Sequence, residues 1–257
     1  MLAIICISMK LIKVDDYQTW YVEESNKAIL IDPWLTKKLE HEGDFFINRN
    51  KDRVSYLTSD QYRKIQALII TAPFEDHLHI DTIKSFSMDT PIYTSKIVKT
   101  KLLKESISNP IFLLNEKGSN VGALNVKSLP TSYPYYSSTF SLLIEDKSNK
   151  KIFHEGHIVN FKYLKKYNIK ADVAILTADE VKLFGLITLG MSYENALKAC
   201  NLLDTENLFI TGTNPNKTKG LISKFLTIKP LIEEELNEKL NLYMKPGDNI
   251  DLNDSLN

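Results

Sequence analysis

The sequence predicts an α+β protein: two mixed β-sheets packed together with helices outside, in a single domain over residues 1–257. Three observations point there. The first part of the chain is a run of short strands, hairpins recur further along, and helical patterns appear in both halves with no linker or low-complexity segment between them.

Residues 10–14, 19–23 and 28–31 form three strands separated by polar turns at Asp15-Asp16 and Ser25-Asn26-Lys27. The third stops at Pro33 and leaves Asp32 at its carboxyl end. Residues 36–63 are charged and irregular, with Phe45, Phe46, Tyr56 and Tyr62 available to fold a long loop over the strand ends. Ala67, Leu68, Ile69 and Ile70 form a buried strand, and a helix begins near Ile80. Strands at 91–93, 111–114, 124–129 and 140–145 follow, with a helix at 96–105. Residues 151–153 complete a hairpin through the turn Asp146-Lys147-Ser148-Asn149. Helix is expected at 160–167, strand at 173–176, and an amphipathic helix at 191–203 with Ala196, Leu197, Cys200 and Leu203 on one face. A last strand at 208–210 precedes helices at 221–226 and 232–242 and a turn at Lys245-Pro246-Gly247-Asp248.

Bulk composition is that of an ordinary globular protein: 257 residues, 43% apolar and 25% charged. The 32 basic and 32 acidic residues cancel. No basic stripe interleaved with aromatics appears, so no nucleic-acid partner is expected. Cys6 and Cys200 lie in apolar surroundings without metal-type spacing, which suits reduced core thiols in the cytoplasm. The apolar stretch 2–7 is too short for a membrane span or a signal-peptide core, so no membrane partner is expected. Met9 is an alternative start that would make 1–8 an extension, and the polar tail 253–257 is expected to fray.

Two stretches carry the chemistry. After the strand 67–70, Pro73 breaks the run, and Glu75, Asp76, His77 and His79 follow within a few residues. In sheet-based folds the carboxyl ends of strands are where ligands gather. The second stretch, KIFHEGHIVN at 151–160, also follows a strand. If 152–157 is extended, Glu155 and His157 share a face with Phe153, and His154 points away. In a helix His77 and His79 would lie about 200° apart, so both reach one ion only if that segment is not helical. Imidazole with carboxylate suits zinc, iron or manganese, and Glu155 or Glu75 could serve as base. His41 reads as solvent-exposed. Asp32 suits loop hydrogen bonding as well as a metal, Tyr133, Tyr135 and Tyr136 read as packing, and 212–215 as a turn.

Taken in order, the segments ILIDPWL (29–35), ALIITAPFEDHLHIDT (67–82), FSLLIEDKSNKKIFHEGH (140–157), MSYENALKAC (191–200) and MKPGD (244–248) resemble the metallo-β-lactamase superfamily in its lactonase-like branch. The resemblance implies a four-layer αββα sandwich with metal at the sheet edge. It also carries departures. The first two histidines of the family's H-x-H-x-D-H motif are Ala72 and Phe74 here, and only Asp76 and His77 match. No histidine stands at 130–134, His157 replaces the bridging aspartate after Gly156, and the final histidine falls on 212–214. One of the two family metal sites is therefore lost. The chain is also similar to a divergent branch with the motifs D-D-H-x-H and E-P-H. Glu75, Asp76, His77, His79, Glu155 and His157 match those motifs, with Gly156 in place of proline.

The resemblance implies a hydrolase holding one divalent metal, zinc first and manganese or iron next. Asp76, His77 and His157 would ligate it, His79 would be a fourth ligand or a neighbour, and Glu155 or Glu75 the base. The substrate is expected to be a small molecule with an ester, lactone or related bond. The alternative is a non-catalytic protein of the same fold, retained for ligand or partner binding.

Overall fold

The computed structural model describes residues 8–40, 48–212 and 218–252. The expectations for Cys6, His41, Phe45 and Phe46, for most of the 1–8 extension, for 213–215 and for the tail 253–257 lie outside those residues.

In chain order the strands and helices are β1 (Met9–Lys13), β2 (Trp20–Glu24), β3 (Lys27–Ile31), β4 (Lys38–Glu40), β5 (Asn48–Asn50), α1 (Ser59–Arg63), β6 (Ile65–Ile70), α2 (Ile80–Lys84), β7 (Ile92–Thr94), α3 (Lys96–Lys104), β8 (Ile111–Leu113), β9 (Ser119–Val121) and β10 (Leu124–Pro130). Then come β11 (Phe140–Glu145), β12 (Lys151–His154), α4 (Phe161–Tyr167), β13 (Val173–Leu176), β14 (Glu180–Leu183), β15 (Ile187–Gly190), α5 (Tyr193–Leu203), β16 (Asn207–Ile210), β17 (Leu226–Lys229), α6 (Glu233–Asn237), β18 (Asn241–Tyr243) and β19 (Asn249–Leu252).

Two seven-stranded sheets carry the fold, in the orders β19-β1-β2-β3-β6-β7-β8 and β18-β16-β13-β12-β11-β10-β9. Both are mixed. In the first sheet β1, β2 and β3 pair antiparallel, and β3, β6, β7 and β8 continue in parallel. In the second, β10, β11 and β12 are antiparallel and β12, β13, β16 and β18 parallel.

The layers follow from side-chain alternation. In β6, Ala67 and Ile69 enter the core between the sheets, where they meet Val126, Leu142, Ile144, Val173 and Ile175. Leu68 and Ile70 point the other way, onto Ile83 of α2 and Val98 and Leu102 of α3. In β13 the same alternation sends Ala174 and Leu176 outward, against Leu164 of α4, Ala196 and Cys200 of α5 and Leu236 of α6. This is the expected four-layer αββα sandwich.

Several expectations shift. Residues 36–63 are not wholly irregular: β4 and β5 form a small hairpin and α1 closes the segment with a Thr58–Gln61 capping box. The helix expected at 221–226 is a single 3-10 turn at Ile222–Phe225, after which β17 joins β14 and β15 in a three-stranded sheet. The helix expected at 232–242 ends at Asn237, and residues 241–243 are drawn into the second sheet as β18. On α5 the buried face runs through Ala196, Ala199, Cys200 and Leu203, and Leu197 is only partly covered. Among the described residues no helix is long and apolar enough to cross a membrane.

Candidate functional site

The parallel strands β3, β6, β12, β13 and β16 end on one edge of the sandwich, and the residues that follow them form a polar cluster there. The innermost member is Asp32, fully buried and in the left-handed backbone region at φ 46°. Its Oδ1 accepts the Thr71 N–H at 2.7 Å, and its Oδ2 accepts the Thr71 hydroxyl at 2.5 Å. The same Oδ2 lies 2.7 Å from Nδ1 of His77. The imidazole is thereby fixed from behind, with Nε2 facing forward and unpartnered. Burial alone would depress the His77 imidazolium, but the Asp32 and Asp76 carboxylates outweigh it and leave the group raised above its ordinary value.

His157 reaches the same place from the other sheet. Strand β12 ends at His154, and His157 sits at φ 77°, a conformation rarely adopted by a residue with a side chain. Its ring centroid is 4.7 Å from that of His77, and Tyr135 stacks on it at 4.4 Å and 19°. Phe74 closes the box edge-on to both imidazoles, at 6.2 Å from His77 and 5.7 Å from His157. Burial first, then the neighbouring His77 charge, holds His157 well below its ordinary value, so it stays neutral with Nε2 unpartnered.

The extended geometry expected for 152–157 therefore stops at His154, and the alternation of faces stops with it. His154 is buried with neither ring nitrogen partnered, and it feels the charges of Asp32 and His77. Glu155 is buried beside Thr177, although neither of its oxygens makes a well-formed hydrogen bond, and burial raises its carboxyl well above the usual range. The turn between Glu155 and His157 needs glycine: a Cβ on Gly156 would stand 2.5 Å from the Phe140 carbonyl oxygen and from the Thr131 methyl. Close approach of β11 explains why no proline or larger residue stands there.

Asp76 is engaged differently. An ion pair joins its Oδ2 to Nη1 of Arg49, and the Gln18 amide reaches the same oxygen at 3.4 Å. Burial would raise Asp76, but Arg49, His77 and His157 together hold it below the usual carboxylate range. Arg49 is steadied by Nε donating to the Thr218 hydroxyl at 3.0 Å, and its guanidinium lies 5.8 Å from the Tyr17 ring centre.

His79 is not brought to the cluster. It is the N-cap of α2, with Nδ1 accepting the Thr82 N–H at 3.2 Å and Nε2 3.3 Å from the Thr36 hydroxyl, beside the Trp34 ring. Both nitrogens are spent on holding loops.

A cavity of about 480 Å³ opens in front of the cluster. Asp76, His157, Tyr135, Phe74, Glu75 and Arg49 face it, and β14, β15 and β17 supply an apolar far wall of Val181, Leu183, Leu189 and Leu226. Such a volume and lining suit a small molecule. Glu75 borders the cavity, and Glu155 stands behind the wall. Of these residues Arg49 and Tyr135 are not marked as a site by the sequence, where Tyr135 reads as packing. Asp32, placed after a strand, suits a metal as well as loop hydrogen bonds, and in the structure it bonds Thr71 and His77.

Buried polar atoms normally find partners, and the unpartnered Nε2 atoms of His77 and His157 with the neighbouring Asp76 carboxylate are donors of the kind a borderline divalent ion takes. By donor chemistry the residues fit such an ion. As placed, however, among the described residues no group of three or more His, Cys, Asp or Glu side chains is arranged around a common metal position. The third donor, Asp76, is taken by Arg49.

A family model described as "Beta-lactamase superfamily domain" matches residues 12–209. No curated protein matches the chain significantly. Among solved structures, an isothiocyanate hydrolase from Delia radicum gut bacteria superposes with a TM-score of 0.70 at 18% identity, over 95% of this chain and 100% of that one. A possible metal-dependent hydrolase from Veillonella parvula DSM 2008 gives 0.71 at 14% identity, over 95% and 99%. The metallo-beta-lactamase fold protein YhfI from Bacillus subtilis gives 0.64 at 13% identity, again over 95% and 99%. At such identities the likeness is one of fold.

Proposed function

The chain belongs to the β-lactamase superfamily, and from that premise we propose that it is a hydrolase cleaving an ester, lactone or related bond of a small molecule with the help of one divalent ion. Zinc is the first candidate, manganese or iron the next, and His77, His157 and Asp76 are the ligands. The observation that carries this reading is the pair of adjacent imidazoles from two different sheets, His77 buried and His157 on the cavity wall, each with an unpartnered Nε2. When bound, the ion supplies Lewis acidity that polarises a carbonyl and acidifies a water.

The chain's own residues do the rest. Asp32 engages Nδ1 of His77 and leaves Nε2 as the nitrogen that would face an ion. Tyr135 and Phe74 clasp the His157 ring and fix its orientation. Glu75, on the cavity wall, is placed to take and return a proton; Glu155, raised by burial, holds a proton just behind. The apolar far wall takes the organic part of the substrate.

A second reading, a non-catalytic fold retained for binding a small molecule, is favoured by one observation: the Arg49–Asp76 ion pair satisfies that carboxylate without any ion. The test is hydrolysis of a panel of aryl esters and lactones by tag-free protein supplied with zinc, manganese or iron. Metal-dependent turnover that falls at least about 100-fold in His157→Ala is expected, the effect of losing a ligand. No metal-dependent turnover on any of them favours the binding protein.

A further inference from the structure

Arg49 is the one strong cation in contact with Asp76 among the described residues. It comes from β5, in the small β4–β5 hairpin outside the two main sheets, which meets the body through the Asn48–Lys219 bridge and the Thr218 hydroxyl. Its guanidinium is delivered to the one carboxylate that stands next to both free imidazoles. We propose that Arg49 is a tethered competitor for the divalent ion: guanidinium and ion exclude one another at Asp76, and the site loads only as Arg49 lets go. The proposal rests on His77, His157 and Asp76 being the ligand set.

The physical case is one of charge and occupancy. The Asp76 side chain is mostly covered, and the Arg49 guanidinium already occupies its Oδ2 through a charge-assisted hydrogen bond. A dication bound at the same oxygen would stand against a guanidinium a few ångströms away, and the two cations would repel. Either the ion stays out or Arg49 swings away, into the cavity it already borders. Removing the guanidinium then has two opposite consequences. The free protein loses stability because a largely covered carboxylate loses its cation, and the same carboxylate gains affinity for an ion. A purely structural Arg49 would produce only the first.

The experiment is a cobalt(II) titration of the full, tag-free, metal-free chain, followed by visible absorption and checked by calorimetry with zinc. Wild type, Arg49→Met, Arg49→Gln and the double variant Arg49→Met/His157→Ala are compared. Arg49→Gln serves where Arg49→Met does not fold. Removal of a charged hydrogen-bond competitor corresponds to an affinity gain of about ten- to a hundredfold in the single variants. In the double variant that gain is expected to vanish. Equal or weaker affinity in both single variants, with wild type binding cobalt, overturns the competitor role and leaves the ligand set standing. Failure of every variant to take up cobalt or zinc overturns both.

Discussion

Asp32→Asn is expected to abolish divalent-ion binding and to lower stability by about 3 kcal/mol, from breaking a buried charged pair. The mechanism is specific. Asp32 accepts three hydrogen bonds, from the Thr71 N–H, the Thr71 hydroxyl and His77 Nδ1. An asparagine amide keeps one oxygen for the Thr71 N–H, and its NH2 then faces the Thr71 hydroxyl and His77. His77 must answer with an acceptor at Nδ1, which moves its proton to Nε2 and removes the lone pair that would face an ion. For a domain of this size the loss corresponds to a fall in melting temperature of roughly 6–12 °C. Thermal unfolding reads the stability, and nitrogen-15 NMR of the imidazole reads the tautomer. Unchanged melting together with an unchanged tautomer contradicts the role given to Asp32.

The second large effect lies beside the site. Lys51 is buried with its ammonium on the Asp15 carboxylate and the Trp34 carbonyl, 4.2 Å from the Trp34 ring centre. Asp15 in turn accepts the N–H groups of Tyr17 at 2.8 Å and Thr19 at 3.2 Å, so the pair ties three loops together. Lys51→Ala leaves a carboxylate and a carbonyl buried without their cation and opens a void, at a cost of about 3–5 kcal/mol. Urea denaturation should show a correspondingly lower midpoint with an unchanged slope. Lys51→Arg, which keeps the charge, should recover part of it. A change under about 0.5 kcal/mol would place Lys51 among ordinary surface lysines. Because Lys51 directly follows β5, its loss should also loosen the hairpin that delivers Arg49.

Much of the architecture was legible because it follows from local rules. The run Ala67 to Ile70 is apolar on both faces since both faces of β6 are covered, and Pro73 marks where it must stop. His77 and His157 could be paired from sequence because each follows such a strand, and strand ends of α/β-type sheets share an edge. Elements that owe their state to tertiary pairing were not legible. Residues 241–243 follow an acidic helical pattern and become a strand only because β16 offers them an open edge. Strands β14 and β15 are half-buried throughout, so their alternation carries no clear signal. Arg49 sits in a charged stretch with nothing local to mark it, and its meaning depends on a carboxylate 27 residues away. His79 falls where the resembled motif carries a histidine, yet the helix begins one residue later and makes it a cap.

The most direct measurement is a crystal structure of the tag-free protein grown with zinc, with diffraction collected on both sides of the zinc absorption edge. The expected result is one anomalous peak about 2.0–2.1 Å from Nε2 of both His77 and His157, with the Asp76 carboxylate turned to it and Arg49 displaced. A map with no peak there, the Arg49–Asp76 pair intact and the two imidazoles bonded only to water or protein, would contradict it.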